Sequence, residues 1–205
     1  MKQKVLPRKF YLQDTRKVAQ ELLGKLLVRQ INGKRFSGII VETEAYRGFD
    51  DTACHAHKGP TERCKVMFGA PGFAYVYITY GMHDMLNLVT EDKFFPAAVL
   101  IRAIEPVEGV GKMFERRGVE KKEDLTSGPG KLTRALSIDR ELNGIDLTVG
   151  KDIWVERLDG QMAGWLNGQS SKIGKSPRIG IDYADETARN WKWRFFVKGN
   201  KFVSR

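Results

Sequence analysis

Residues 38–46 read GIIVETEAY, an apolar run that takes up two carboxylates and ends on a tyrosine. The β-branched residues in this run predict a strand, in which successive side chains point to opposite faces. One face would carry Ile39, Val41, Thr43 and Ala45, and the other Glu42, Glu44 and Tyr46. Because alternate strand positions are about 6.6 Å apart, Glu44 and Tyr46 would stand side by side. The pattern predicts a proton acceptor beside a planar ligand, or an amphipathic strand with two solvated glutamates.

The rest of the chain predicts one α+β unit. Helices are predicted within 12–28, with Asp14 as N-cap and Gly24 near the end, at 105–118, beginning near Pro106, and at 129–138. Strands are predicted at 26–31, 37–46, 74–79, 85–90, 97–103, 153–158 and 192–198. No repeat or linker interrupts residues 1–205, and no regular βαβ rhythm is present. The expected fold is a single domain with a curved, mainly antiparallel, open-barrel-like sheet, surrounding helices and a protruding hairpin.

The charge balance narrows the class of partner. Lys and Arg number 35 against 25 acidic residues, a formal net charge of +10. Such an excess attracts polyanions, so nucleic acid is the first expectation, membrane surface the second, and a basic protein with neither partner the third. The first ten residues lack an apolar signal core, and the longest apolar run is broken by Pro96 and Arg102. A cytoplasmic protein without a membrane segment is expected.

Residues 75–89, YVYITYGMHDMLNLV, predict a β-hairpin. Tyr80 and Gly81 have the composition of its turn, and the return strand is expected from Met85 to Val89. Tyr80 would then stand at the tip of a hairpin on a basic protein, where apolar side chains can wedge into a base stack. The alternative is that Tyr80 folds back onto the core.

Two cysteines and two histidines, Cys54, His55, His57 and Cys64, lie within residues 52–64. They suggest zinc, but their spacing does not follow the two separated pairs of structural zinc sites. A disulfide is not expected in a cytoplasmic chain. Either histidine could instead line a pocket as a hydrogen-bonding group.

Two cations stand out from their surroundings. Arg102 interrupts the apolar strand, and a buried arginine needs a carboxylate partner. Glu44 would be that partner in a functional site, whereas Glu105 or Glu108 would make a structural salt bridge. Lys131 lies in SGPGKL at a glycine-flanked helix start, which fails the phosphate-loop spacing but can hold a single phosphate.

Six segments occur in one fixed order: VETEAY at 41–46, His55 nine residues later, YVYITYG, Asn87, LIRAIEP and SGPGKL. In this order the chain resembles the alkyladenine (3-methyladenine) DNA glycosylase family over residues 8–203. The resemblance implies a monofunctional enzyme that flips a damaged purine out of duplex DNA and hydrolyses its N-glycosidic bond. It also implies a monomer that uses no metal or cofactor.

The resemblance assigns a role to each matched side chain. Glu44 matches the general base that activates water, and Arg102 the side chain that helps to hold that water. The base-pocket positions are Tyr46 and Tyr77 as aromatic walls, His55 against the base edge, and Asn87 against the guanine 2-amino group. Tyr80 matches the intercalating residue, and Lys131 lies at a phosphate contact. His83 departs from the pattern, since eukaryotic members carry another aromatic residue there.

Three rival functions remain: a non-catalytic nucleic-acid-binding module, a zinc nucleic-acid protein, and a bifunctional glycosylase with a lysine nucleophile. The sequence does not rank 3-methyladenine, hypoxanthine, 7-methylguanine and ethenoadenine as substrates.

Overall fold

A curled, antiparallel, eight-stranded sheet forms the centre of the molecule in a computed structural model that describes residues 4–158 and 172–204. Its strands are β1 Leu26–Ile31, β2 Lys34–Arg47, β3 Ala74–Thr79, β4 His83–Val89, β5 Ala97–Glu108, β6 Ile153–Glu156, β7 Ile173–Ser176 and β8 Arg194–Val197. The order is β3-β4-β5-β2-β1-β6, and β8 joins β2 to β7. The sheet makes a half-barrel, which confirms the predicted α+β fold.

Five α-helices surround the sheet in the described part of the chain: α1 Arg8–Tyr11, α2 Thr15–Leu22, α3 Val110–Arg117, α4 Pro129–Leu136 and α5 Glu186–Asn190. Asp14 caps α2 as predicted, because its carboxylate accepts the backbone N–H groups of Arg16 and Lys17. The helix ends at Leu22, close to the predicted end near Gly24, and β1 begins at Leu26 as predicted. Helix α4 lies inside its predicted range and starts with proline in the first turn.

The prediction of a helix start near Pro106 is wrong. Strand β5 continues through Pro106 to Glu108, and α3 begins only at Val110, after Gly109 in a left-handed conformation. Pro106 faces Gly38 on β2, at a register shift of the ladder. A proline cannot donate to a ladder, so an irregular position is where a strand tolerates it. A side chain at Gly38 would approach the Glu105 carbonyl oxygen to 2.9 Å.

The predicted alternation along 38–46 holds only for part of β2. Ile40 and the next residue, Val41, pack in the same core cluster, whereas Ile39 packs on the opposite side of the sheet with Leu26 and Trp154. The register of β2 against β5 is irregular at this level. Ile39 therefore does not share the face of Val41, because a β-bulge re-aims the chain. Beyond the bulge the alternation is as predicted.

Strand β5 changes face at the same level as β2. Its consecutive residues Ala103 and Ile104 pack in the core cluster that holds Ile40 and Val41. Both strands therefore change face at the same level. Beyond that point, each strand directs the opposite set of alternate side chains away from this core cluster. Glu44 belongs to that set, in a stretch of β2 that pairs with both β5 and β8.

Several bounds differ from prediction. The return strand of the hairpin begins at His83 rather than Met85, and β8 covers four residues of the predicted 192–198. Strand β7 and helices α1 and α5 were not predicted, because each is too short to show a periodic pattern. None of the helices in residues 4–158 and 172–204 has the length and apolar character needed to cross a membrane.

Candidate active site

Glu44 is a fully buried carboxylate with three hydrogen-bond donors. The Tyr46 hydroxyl donates to its Oε2 at 2.8 Å, and Arg102 Nη1 donates to the same oxygen at 3.2 Å. The backbone N–H of Ile179 donates to Oε1 at 2.8 Å. Every partner is a donor, so the group is held as an acceptor, which is how an ionised carboxylate bonds. The prediction of an acid beside a tyrosine at this end of the strand is confirmed.

Glu42 faces the same way but has a structural environment. Its two oxygens accept from Arg102 Nε at 3.1 Å, Arg194 Nε at 2.6 Å, and the backbone N–H and hydroxyl of Ser204 at 2.6 and 2.7 Å. Four donors occupy this carboxylate. Glu42 therefore anchors β5, β8 and the chain end, while Glu44 is the acid beside the aromatic side chains.

Arg102 links the two carboxylates and is 7% exposed. Burial by itself would lower its pKa, but the negative charges of Glu44 and Glu42 raise the pKa above its ordinary value. The predicted pairing of this buried arginine with Glu44 is present, and Arg102 also pairs with Glu42, which was not predicted. Glu105 contacts Asn200 and Glu108 contacts Arg35, so neither neighbouring acid serves it.

The sheet register places three further side chains in line with Glu44. Glu44 pairs with Leu100 on β5, Leu100 with Asn87 on β4, and Asn87 with Tyr75 on β3. Residues that face each other across a sheet lie on the same side. Asn87 is buried and donates its amide to the Tyr75 carbonyl at 3.2 Å. The Asn87 amide thus lies between Tyr75 and Leu100, and Leu100 is the neighbour of Glu44 across the ladder.

Aromatic side chains cluster beside this line. The rings of His55 and Tyr77 meet edge to face with centroids 4.6 Å apart, and the Tyr75 and Tyr77 rings lie 5.2 Å apart at 32°. His55 Nδ1 is hydrogen-bonded to the Tyr75 hydroxyl at 3.0 Å. Tyr46 and Tyr77 pack against one apolar cluster that includes Cys54. The structure therefore brings together Glu44, Arg102 and the predicted pocket residues Tyr46, His55, Tyr77 and Asn87.

Burial sets the protonation states in this cluster. It raises the pKa of Tyr77 to about 12, and burial together with the Glu44 charge raises the pKa of Tyr46 well above its usual range. Burial, assisted by the charge of Arg63, lowers the pKa of His55 to about 4. At neutral pH both tyrosines are hydroxyl donors, and His55 is an uncharged imidazole.

Tyr80 stands apart from this cluster, at the tip of the β3–β4 hairpin. Its side chain is 85% exposed, and Met82 beside it is 70% exposed. Tyr80 and Gly81 have φ of 49° and 69°, and the Met82 N–H donates to the Thr79 carbonyl at 3.1 Å. Two positive φ values with this hydrogen bond define a type I′ turn, an uncommon conformation for tyrosine. Tyr80 projects outward, so the alternative that it folds onto the core is wrong.

Lys131 lies in a basic cleft of about 950 Å³ that also reaches Arg102. Its ammonium group is 3.3 Å from the Ser127 hydroxyl and 3.8 Å from an oxygen of Asp124. Other cations of the cleft are Arg117, Lys121, Arg134 and Lys201. His83 lines the same cleft and packs on Gly130, where a Cβ atom would lie 3.1 Å from the histidine ring. A positively charged surface thus adjoins the buried arginine.

The cysteine and histidine side chains considered for zinc have other contacts. His57 Nδ1 is 2.9 Å from the Cys54 carbonyl oxygen, and Cys64 Sγ accepts from the Thr61 N–H at 3.3 Å. Both thiols are free and buried. Over residues 4–158 and 172–204, no three His, Cys, Asp or Glu side chains are grouped as metal ligands would be.

Sequence reasoning missed Arg178 and Ile179: the Ile179 N–H donates to Glu44, and Arg178 holds that segment in place. Arg178 donates to both Asp51 oxygens at 2.6 and 2.7 Å and to the Ala45 carbonyl at 2.8 Å. Its guanidinium also lies over the Tyr46 ring, 4.7 Å from the centroid. The available signal was an arginine between Pro177 and Gly180, and it has no periodicity that would mark it as buried.

The chain is similar to a family of known activity over almost its whole length. The family model for methylpurine-DNA glycosylase matches residues 9–201. A relative from Methanocella arvoryzae is 52% identical over 202 residues, covering 98% of this chain and 96% of the relative. A relative from Desulfitobacterium hafniense is 46% identical over 210 residues, covering 98% of each chain. One from Borrelia garinii subsp. bavariensis is 46% identical over 201 residues, covering 98% of this chain and all of the relative. All three relatives are named as proposed 3-methyladenine DNA glycosylases.

Proposed function

The chain belongs to the methylpurine-DNA glycosylase family, and we propose that it excises damaged purines with a water molecule activated by Glu44. It is a DNA N-glycosylase of the 3-methyladenine type, and DNA is its substrate. The proposal adds the identity of the base, the extrusion of the damaged nucleotide from the duplex, and the monofunctional mechanism. Its main support is the buried Glu44 carboxylate, held by three donors beside Tyr46.

The proposed reaction is hydrolysis of the bond between the sugar C1′ and a purine nitrogen. As that bond breaks, its electron pair leaves with the base, and positive charge develops on the deoxyribose. Water attacks C1′ and passes a proton to Glu44, so the products are the free base and an abasic site in DNA. A purine alkylated at N3 or N7 is cationic, and it departs as a neutral base without needing a proton.

A single carboxylate is sufficient for this chemistry. Ordinary glycosidases use one carboxyl group as an acid for the leaving group and another as nucleophile or base. Here the cationic leaving group makes the acid unnecessary, and the Glu44 charge also steadies the positive charge on the sugar. Glu42 is unsuited to a second role because its oxygens are already occupied by four donors.

The aromatic side chains account for binding of an extruded base. Extrusion costs a few kcal/mol, least for a damaged or mismatched base, and stacking returns about 1–3 kcal/mol per base. We assign Tyr46, Tyr77 and His55 to the base pocket and Asn87 to the exclusion of the guanine 2-amino group. Tyr80 is the residue that fills the gap left in the duplex.

The basic cleft supports the contact with the DNA backbone. Lys131 is assigned to a phosphate, with the neighbouring cations of the cleft supplying the attraction to the polyanion. One extruded nucleotide occupies one pocket, so we assign the active form as a monomer. We also propose that the reaction needs neither a metal nor an organic cofactor.

Base release from defined duplexes tests the proposal. Duplexes of one sequence, each with a single 3-methyladenine, 7-methylguanine, hypoxanthine or ethenoadenine, are incubated with excess enzyme, and the free base is quantified. Release of 3-methyladenine is expected. DNA binding without release of any base would favour the non-catalytic module, and a covalent adduct trapped by borohydride would favour the lysine nucleophile.

A further inference from the structure

Arg63 carries a positive charge on the wall of the aromatic pocket. Its guanidinium carbon lies 4.6 Å from the centroid of the Tyr77 ring, within cation–π distance. Arg63 is an exposed residue, and in the described part of the chain it forms no hydrogen bond or ion pair. Within that part of the chain, Arg63 contacts the ring of Tyr77.

Two other arginines that lie over rings, Arg178 and Arg47, are neutralised by carboxylates. Arg178 lies over the Tyr46 ring and is paired with Asp51 at 2.6 Å. Arg47 lies over a phenylalanine ring and is paired with Glu91 at 2.5 Å. These charges are compensated where they stand. Within residues 4–158 and 172–204 no carboxylate compensates the charge of Arg63, so its field extends into the pocket.

The charge of Arg63 also acts on His55. The imidazole meets the Tyr77 ring edge to face at 4.6 Å, and the Arg63 charge adds to burial in lowering the His55 pKa to about 4. The same field would act on any other cation placed against Tyr77. An uncharged ligand of the same shape would not feel it.

Damaged purines differ in this respect. A purine alkylated at N3 or N7 carries a positive charge while it is joined to the sugar, whereas hypoxanthine and ethenoadenine are neutral. A cationic base gains from the electron-rich face of tyrosine. With Arg63 already on Tyr77, part of that gain is lost, and the two positive charges repel one another.

We propose that Arg63 is a specificity-determining residue, whose positive charge on Tyr77, unpaired within the described part of the chain, favours excision of neutral damaged purines over cationic ones. The inference rests on the proposed function, in which Tyr77 is a wall of the base pocket. It does not require Arg63 to be the only source of selectivity, since the shape of the pocket and the ease of extrusion act on every lesion.

The ratio of two excision rates isolates this effect. Arg63 is exposed and also attracts DNA phosphates, and that contribution is the same for every lesion in one duplex sequence. A ratio of single-turnover rates for 7-methylguanine and hypoxanthine in otherwise identical duplexes cancels it. What remains is the response of the pocket to the charge of the base.

The experiment compares the wild type with Arg63→Met, which keeps the length of the side chain, and Arg63→Lys, which keeps its charge. In Arg63→Met the rate ratio of 7-methylguanine to hypoxanthine is expected to rise roughly three- to tenfold, the size of a unit-charge interaction in a partly hydrated pocket. Arg63→Lys is expected to stay near the wild-type ratio. The matched control is Lys65→Met, since Lys65 is an exposed cation of the same segment, paired with Glu62 at 2.7 Å.

An unchanged ratio in Arg63→Met, or an equal rise in Lys65→Met, would overturn the inference while leaving the proposed function intact. Absence of base release by the wild type would overturn both. A readout without DNA comes from nuclear magnetic resonance titration of His55, whose pKa is expected to rise in Arg63→Met and to stay in place in Lys65→Met. An unmoved His55 pKa in Arg63→Met would contradict the placement of the charge.

Discussion

The backbone N–H of Ile179 donates to Glu44 Oε1 at 2.8 Å across 135 residues of sequence. This bond fixes one oxygen of the carboxylate, while Tyr46 and Arg102 fix the other. The orientation of the acid therefore depends on a segment that no local pattern connects to it. The segment is itself held by the buried pair of Arg178 and Asp51.

Replacing the carboxylate of Glu44 by an amide should remove the chemical step. We expect Glu44→Gln to lower the excision rate roughly 10²–10⁴-fold, the usual contribution of a positioned general base. Binding to lesion-containing duplex should survive, because the proposed DNA contacts, Tyr80 and Lys131, lie elsewhere. Single-turnover release of 3-methyladenine and a binding titration measure the two effects.

The neighbouring acid supplies the control for that substitution. Glu42→Gln changes the same functional group on the same strand, but Glu42 serves the structural network of Arg102, Arg194 and Ser204. Its main effect should be on the free energy of unfolding, since removing one partner of a buried charge pair costs roughly 3–5 kcal/mol. A rate for Glu44→Gln near the wild type would refute the role of Glu44 as base.

Breaking the Asp51–Arg178 pair should impair excision without weakening DNA binding. Both side chains are fully buried, so Asp51→Asn leaves the Arg178 charge uncompensated, at a cost of roughly 3–5 kcal/mol. Loosening Arg178 also frees the Tyr46 ring and the Ile179 N–H. We expect the single-turnover rate to fall at saturating enzyme, with DNA affinity near the wild type.

A second ion pair provides the comparison for Asp51→Asn. Asp146→Asn removes a carboxylate that pairs with Arg8, in a half-exposed setting away from Glu44. Partly solvated pairs contribute little, so its excision rate should remain unchanged. Equal losses of rate in the two variants would mean that Arg178 acts on overall stability and does not position the acid.

Removing the ring of Tyr80 should weaken binding to lesion-containing duplex by about 1–3 kcal/mol, the value of one stacked aromatic. Because the side chain is 85% exposed, Tyr80→Ala should leave the melting temperature near the wild type. Met82→Ala, also at the hairpin tip, is the matched control. An unchanged affinity and base-flipping fluorescence in Tyr80→Ala would contradict its role as the wedge.

The low pKa of His55 predicts a loss of stability in acid. Its pKa is about 4 in the folded chain against 6.5 for an ordinary histidine. Between these two values the unfolded chain takes up a proton that the folded chain does not, so the contribution is complete above pH 6.5 and is lost as the pH falls toward 4. Urea unfolding across this window should show a shallower pH dependence in His55→Gln. Identical slopes would show that His55 takes up its proton in the folded state as well.

Much of the sheet could be predicted from local sequence, because alternating or continuous apolar residues mark β1, β2, β3 and β5. The helix capped by Asp14 could be predicted from its cap and its apolar stripe. Pro106 misled the prediction, since proline suits a helix start and also an irregular position in a strand. Ladder registers depend on the partner strand, so the change of face at Ile40 and Val41 was beyond local reasoning.

The site divides in the same way. Glu44 and Tyr46 lie two residues apart on one strand, and a charged residue in an apolar run marked Arg102, so local pattern was enough for these three. Local pattern did not separate Glu42 from Glu44, because their difference lies in which distant donors reach each carboxylate; the family resemblance alone singled out Glu44. Arg63 and Arg178 were missed because their contacts with the rings of Tyr77 and Tyr46 are tertiary and leave no local pattern.

The shared turn of β2 and β5 has a consequence for how this chain can change. Loss or gain of one residue near Val41 in β2, or near Ala103 in β5, would remove the change of face from one strand and leave it in the other. Glu44 would then point toward the apolar interior. Insertions or deletions here are tolerable only when both strands change by the same number of residues. This stretch of the ladder therefore fixes the position of Glu44 relative to Arg102.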